Sequence, residues 1–223
     1  MASSDEGVRQ IKFVAPPGAA RLILVRHGET TPVREGVPVP MFEGQSNPDL
    51  DPVGVEEARL VGARLAAEEP GIAALYVTPL VRTHQTAEPL VALTGLEPRV
   101  EPGLIEINLG EWEGGEFRRR VGVRDPIVLR MFAEQRWDVV PGAERDEDFR
   151  ARVAGGIERI AAAHPDETVV VVAHGGTIGE VMATASGARP LAFAPDNGSI
   201  SEIVVIPDRG WVVRRFNDTA HLR

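Results

Sequence analysis

Two short strings put reactive side chains at matching positions, 21-RLILVRHGET-30 and 168-TVVVVAHGGT-177. Each is an apolar run that stops at a histidine followed by glycine. The imidazoles of His27 and His174 serve as nucleophile, base, metal ligand or anion donor according to what surrounds them. Here the surroundings are cationic: Arg26 adjoins His27, and Arg82 follows closely on a third apolar run, 72-IAALYV-77. A guanidinium presents a rigid fork of donors matched to phosphate oxygens. Gly28, Gly175 and Gly176 have no Cβ, so a ligand can approach their backbone, and a helix opening near Gly176 would offer N–H groups to an anion. The set suits phosphate. A metal held by two histidines and a carboxylate is the competing use, and two nearby arginines oppose a cation there.

The apolar runs must lie side by side for these groups to meet. LILV and VVVV are apolar at successive positions, the pattern of strands buried on both faces of a parallel sheet, and such sheets bind ligands beyond the carboxyl ends of their strands. Between the runs, 51-DPVGVEEARLVGARLAAE-68 predicts a helix capped by Asp51, with Pro52 at its first position and a stripe of Val53, Ala58, Leu60, Val61 and Leu65. A strand at 72–77, a helix at about 79–94 and a short strand near 98–101 continue the alternation. It breaks down between about 104 and 150, where 109-LGEWEGGEF-117 and charged helical stretches read as an insertion over one face. A helix at about 145–163, the strand 168–173, a helix from about 176 and strands at 199–206 and 211–216 close the chain. The expected fold is α/β, a three-layer sandwich with a mostly parallel central sheet flanked by helices and the helical insertion covering its carboxyl edge. Residues 1–20 read as a flexible arm and 21–223 as a single domain, with the Pro- and Gly-rich loop 31–54 bordering His27.

Composition narrows the chemistry. The 223 residues contain no cysteine, which excludes disulfides, thiolate metal sites and cysteine nucleophiles. A net charge of −9 argues against a nucleic-acid partner, and no apolar run approaches a membrane span. The start of the chain lacks the apolar core of a secretory signal, so the expected setting is cytoplasmic. The expected partner is a small phosphorylated substrate, with no cofactor and no metal.

Taken together, RHGET at 26–30, the Leu80-x-Arg82-x-x-x-Thr86 run, 104-LIEINLGEWEG-114, 142-GAE-144 with Arg152, and 174-HGGT-177 resemble the histidine phosphatase superfamily, also called phosphoglycerate mutase-like. The resemblance extends to 197-NGSISEI-203 and 217-NDTAHL-222. It implies a metal-independent phosphomonoesterase in which His27 attacks phosphorus and is transiently phosphorylated. Arg26, Arg82 and His174 would hold the phosphoryl oxygens, and Glu106 would protonate the leaving oxygen and then activate water. A homodimer is the family expectation.

Three departures qualify the resemblance. The mutases' polar string after the catalytic glutamate is replaced by Ile107 and Leu109, which cannot bind a carboxylate. Glu43 stands where a hydroxyl residue or glutamine is usual, and its charge would repel phosphoglycerate unless it points away. Both favour phosphatase over the alternative of a phosphoglycerate mutase-type phosphotransferase. Pro32 and Val33 replace the segment carrying a phosphate-binding asparagine, which leaves room for a catalytically weak phosphate-binding module. Thr30, Thr31, Gln45 and Ser46 are the candidates to supply the missing donor, with Thr30, Gln45 and Gly175 placed among the substrate contacts. The basic string 118-RRRVGVR-124 suits attraction of an anionic substrate tail, but a solvated helix face explains it equally well, and it is kept out of the site.

Overall fold

The computed structural model describes residues 10–223, so the first nine residues of the expected arm lie outside the described residues. Strand β1 (Ala20–Arg26) leads through a long loop with a small hairpin, β2 (Met41–Phe42) and β3 (Gln45–Ser46), into α1 (Pro52–Glu68). Then come β4 (Ile72–Val77), α2 (Val81–Thr94) and β5 (Pro98–Val100). The stretch read as an insertion holds two helices, α3 (Glu116–Gly122) and α4 (Pro126–Glu134), with short 3-10 turns before them. Helix α5 (Asp146–Ala163), β6 (Thr168–Ala173), α6 (Gly175–Ser186), β7 (Ile200–Ile206) and β8 (Gly210–Asp218) complete the chain.

Six strands form one mixed, mostly parallel sheet in the order β5-β4-β6-β1-β7-β8. The first four are parallel, β7 runs antiparallel to β1, and β8 antiparallel to β7. The central pair β1 and β6 is apolar from Leu22 to Val25 and from Val169 to Ala173 because each face is covered by helices. Leu22, Leu24, Val169 and Val171 pack with Phe149, Ile157 and Ile160 of α5 and Met182 of α6. Ile23, Val25, Val170 and Val172 pack on the other side with Val61 and Leu65 of α1 and Leu90 of α2. The period of two along the strand thus divides one apolar run between two helical layers. Among the described residues, no helix is long and apolar enough to cross a membrane.

Helix α1 starts as its sequence predicts, with Asp51 Oδ1 accepting from the Gly54 N–H at 2.8 Å. Its stripe is narrower than expected: Val53 is exposed, and the buried face runs through Gly54, Ala58, Val61 and Leu65. Gly54 is there because α1 packs end-on against the turn after β1. A Cβ at Gly54 would stand 2.0 Å from the Glu29 carbonyl oxygen, and one at Gly28 would stand 2.4 Å from the Gly54 oxygen. Two glycines in contact let the helix end support the histidine-bearing turn.

Gly54→Ala should therefore destabilise the fold by about 1–3 kcal/mol or more through overpacking. Gly71→Ala, where nothing lies within 4 Å of the new methyl group, should change stability little. Urea unfolding of the two variants checks the contrast, and equal stabilities would contradict the close packing.

Candidate active site

The turn after β1 fixes His27 from several sides. Its backbone N–H donates to the Ala173 carbonyl at 3.0 Å, and its own carbonyl accepts from the Asn197 side-chain amide at 2.9 Å. The Gly28 N–H donates to Thr86 Oγ1 at 3.0 Å, which explains the threonine of the Leu80-x-Arg82-x-x-x-Thr86 run. Nδ1 of His27 lies 2.8 Å from the Gly28 carbonyl oxygen, a contact that requires a proton on Nδ1. The lone pair is therefore on Nε2. Burial, then the charges of Arg82 and Arg26, holds this imidazole well below the ordinary histidine range, so it is neutral at neutral pH.

His174 caps α6 at the end of β6, with its ring centroid 5.3 Å from that of His27. Its Nε2 is 2.8 Å from Thr78 Oγ1. Thr83 gives its own hydroxyl proton to the Leu80 carbonyl, so Thr78 can donate to Nε2, the arrangement in which the His174 proton lies on Nδ1. That Nδ1 and the Arg26 Nε are both buried without a hydrogen-bond partner. Unpaired buried donors of this kind suit an anion that accepts from both. Burial, then the charge of Arg82, also holds His174 well below the ordinary histidine range.

Two guanidinium groups come from the residues the sequence singles out. Arg26 Nη1 donates to the Pro195 carbonyl at 2.6 Å and Arg82 Nη1 to the Ser46 carbonyl at 2.9 Å, which anchors one end of each fork. Burial pulls Arg82 down to about 10, so it stays cationic at neutral pH. A third comes from the string kept out of the site, which is solvent-exposed at Arg118 and Arg119 as read but also reaches the cavity. Arg118 on α3 donates to Thr30 Oγ1 and, at 3.1 Å, to the Thr31 carbonyl, and it lines the same cavity. Its charge lowers both Arg26 and Arg82, so all three share one field.

Glu106 faces the same space from the loop after β5. Its Oε2 accepts from the Gly176 N–H at 3.0 Å and its Oε1 from the Thr177 N–H at 3.1 Å. The start of α6 thus receives an anion as expected, but the anion is the Glu106 carboxylate and not a ligand. A side chain at Gly176 would strike it, since a Cβ there would lie 2.6 Å from Oε1. Arg152 holds the loop in place by donating to the carbonyls of Gly103, Ile105 and Glu106 while Glu144 pairs with its guanidinium at 2.7 Å. The 142–144 string and Arg152 are therefore a brace for Glu106.

The remaining expectations divide. Thr30 lines the cavity, with its hydroxyl bound to Arg118; Gln45 lines it with its amide donating to the Glu106 carbonyl at 2.7 Å. Ser46 is committed to Glu113. Gly175 lies against Arg26, where a Cβ would meet Nε at 3.3 Å. Glu43 sits exposed at the β2–β3 turn and does not line the cavity, so its charge carries no argument against phosphoglycerate. Sequence reasoning gave Asn197 no role; its place in the NGS string was the available signal. Among the described residues, no three His, Asp or Glu side chains are grouped as metal ligands.

The family model described as histidine phosphatase superfamily (branch 1) matches residues 22–219. The chain belongs to this superfamily. It is a phosphomonoester hydrolase with the family's α/β fold. The chain is 32% identical to phosphoserine phosphatase 1 of Hydrogenobacter thermophilus, over 91% of this chain and 94% of that protein. It is 31% identical to a metal-independent phosphoserine phosphatase of Arabidopsis thaliana, over 90% and 82% of the two chains. Among solved structures, a mycobacterial glucosyl-3-phosphoglycerate phosphatase superposes with a TM-score of 0.73 at 25% identity, covering 90% of this chain and all of that one.

The two buried histidines give this histidine phosphatase a pH signature. Folded, both are neutral; unfolded, each protonates near pH 6.5. Their contribution to stability is present above about pH 6.5 and is lost as pH falls from there toward their lowered folded-state values, by up to about 1.4 kcal/mol per histidine per pH unit. The urea midpoint should fall between pH 7 and pH 5, and the His27→Gln/His174→Gln double variant should flatten that slope. An unchanged slope would contradict neutral buried imidazoles.

Proposed function

We propose that His27, Glu106, His174 and three arginines carry out hydrolysis of a small phosphate monoester in two steps. Nε2 of His27 attacks phosphorus; the N–P bond forms as the P–O bond to the alcohol breaks, and Glu106, having taken up the proton that the ester monoanion brings, gives it to the departing oxygen. Water then attacks the phosphorus of the phosphohistidine while Glu106 takes a proton from it, and the N–P bond breaks to release phosphate. Arg26, Arg82 and His174 Nδ1–H stabilise the equatorial oxygens, a form of preorganised electrostatic catalysis that needs no metal ion. Arg118 supplies the donor that Pro32 and Val33 omit. The observation that carries this reading is the hydrogen bond from His27 Nδ1 to the Gly28 carbonyl, which leaves a neutral nucleophile beside cationic donors.

The mutase alternative needs polar groups to hold a phosphoglycerate for return of the phosphoryl group. Ile107 and Leu109 face the cavity where the mutases place such groups. A binding module needs neither nucleophile nor acid, yet both are present beside the same arginines. Phosphate monoesters are charged and do not cross bilayers, so the setting proposed is the cytoplasm.

Purified protein should release phosphate from alkyl phosphates with chelator present, and His27→Ala should release none. Conversion of 3-phosphoglycerate to its isomer without free phosphate would overturn the hydrolase assignment. Glu106→Gln should slow alkyl esters by about 100-fold or more and activated aryl phosphates far less, since only the poor leaving group needs the proton. Arg118→Ala should cost roughly 10- to 100-fold in kcat/KM on every ester. Wild-type kinetics in that variant would remove Arg118 from the phosphate-binding set.

A further inference from the structure

The cavity that reaches His27 is far larger than a phosphoryl group and a three-carbon amino acid require. Its volume is about 860 Å³, toward the upper end of the range for pockets that enclose drug-sized molecules. Arg26 and Arg82 lie beside His27 at its inner end, and Arg118 lines it from the exposed face of α3. Beyond them the walls are apolar: Val33, Val37 and Val39 from the loop after β1 face Trp112, Phe117 and Trp137 from the segment that carries α3. Ring centroids of the three aromatics follow one another at 6.3 and 6.2 Å. The two walls meet at Gly115, where a Cβ would come within 2.7 Å of Val33 Cγ2 and 3.2 Å of Val39 Cγ2. Val33 stands where the family's asparagine is missing, so the departure that removes a polar donor also extends the apolar wall.

Of the three carboxylates that line the cavity, two have both oxygens engaged. Asp51 caps α1 through the Gly54 N–H, and Glu106 accepts from the start of α6. Glu113 accepts from the Ser46 N–H and hydroxyl and from the Leu109 N–H. Asp51 keeps Oδ2 without a hydrogen-bond partner and Arg34 also lines the cavity, so it is the extent of the apolar walls, not an absence of ionic groups, that favours an apolar body.

Building on the phosphomonoesterase reading, we propose that this chain takes phosphate monoesters of alcohols with a bulky apolar body, an aromatic ring system above all, in place of the phosphoserine named for two of its relatives. The phosphoryl group binds at the arginines and the body lies between the valine loop and the aromatic row. These remote contacts are alike in the ground and transition states, so they act mainly through KM.

Three esters of primary alcohols separate body size from leaving-group reactivity: ethyl phosphate, 3-phenylpropyl phosphate and phosphoserine. The proposal expects kcat/KM for 3-phenylpropyl phosphate to exceed that for ethyl phosphate by roughly 10- to 100-fold, from the burial of one aromatic side chain's worth of surface. Phosphoserine should fall at or below ethyl phosphate. Val37→Glu, at the half-exposed rim where folding is not at stake, should cut the phenylpropyl-to-ethyl ratio severalfold, and Trp137→Ala should cut it further. Hydrolysis of all three esters with no gain from the phenyl body, or a preference for phosphoserine, would overturn the substrate class and leave the hydrolase reading standing. Absence of His27-dependent release from every ester would overturn the hydrolase reading and the substrate class with it.

Discussion

An imidazole buried against cationic guanidinium groups has to be neutral, and the rest of the site is organised around that requirement. Protonating His27 would add a positive charge beside Arg26 and Arg82 in a place with little water, and its proton affinity is lowered accordingly. The Gly28 carbonyl then decides which nitrogen keeps the single proton. A nucleophile follows from these two facts without any adjacent general base. The same arginines that keep the histidine neutral are the groups that would draw in a phosphate dianion, so one cluster both activates the attacking group and binds its target.

Such a cluster is tolerable only in a rigid frame. Like charges held together lower stability, and the frame offsets this with the continuous apolar strands β1 and β6, covered by α1 and α2 on one face and α5 and α6 on the other. The contact of Gly28 with Gly54, the Thr86 hydroxyl under the Gly28 N–H and the Asn197 amide on the His27 carbonyl leave the turn no freedom to relax. On the opposite side Arg152 and Glu144 brace the Glu106 loop. The polar positions that look incidental in the sequence are largely this scaffold.

Much of the fold was legible because its signals are local. Unbroken valines in 168–173 mark a strand buried on both faces, and Asp51-Pro52 marks a helix start; both stand where expected. The histidines, Arg26, Arg82 and Glu106 were also legible, since strand ends in a parallel sheet share one edge; the structure brings His27, Arg26, Arg82 and Glu106 to one cavity and buries the His174 ring 5.3 Å from that of His27. Arg118 was not, because a basic helical string has the same pattern whether it faces solvent or a neighbouring loop; only the approach of α3 to Thr30 and Thr31 decides. The pairing of Glu106 with the start of α6 joins residues 70 apart and leaves no local trace. Glu43 misled for a related reason, since its position in the string gave no sign that a hairpin turn carries it out to solvent.

The central claim is that phosphorus is passed through Nε2 of His27. Rapid acid-free quenching of wild-type protein during turnover of an alkyl phosphate, followed by intact-mass analysis and peptide mapping, tests it directly. The account predicts a species heavier by one phosphoryl group, stable in base and lost in acid, with the label on the peptide that contains His27. Steady turnover with no such species at any quench time, or a label on another residue, would contradict it.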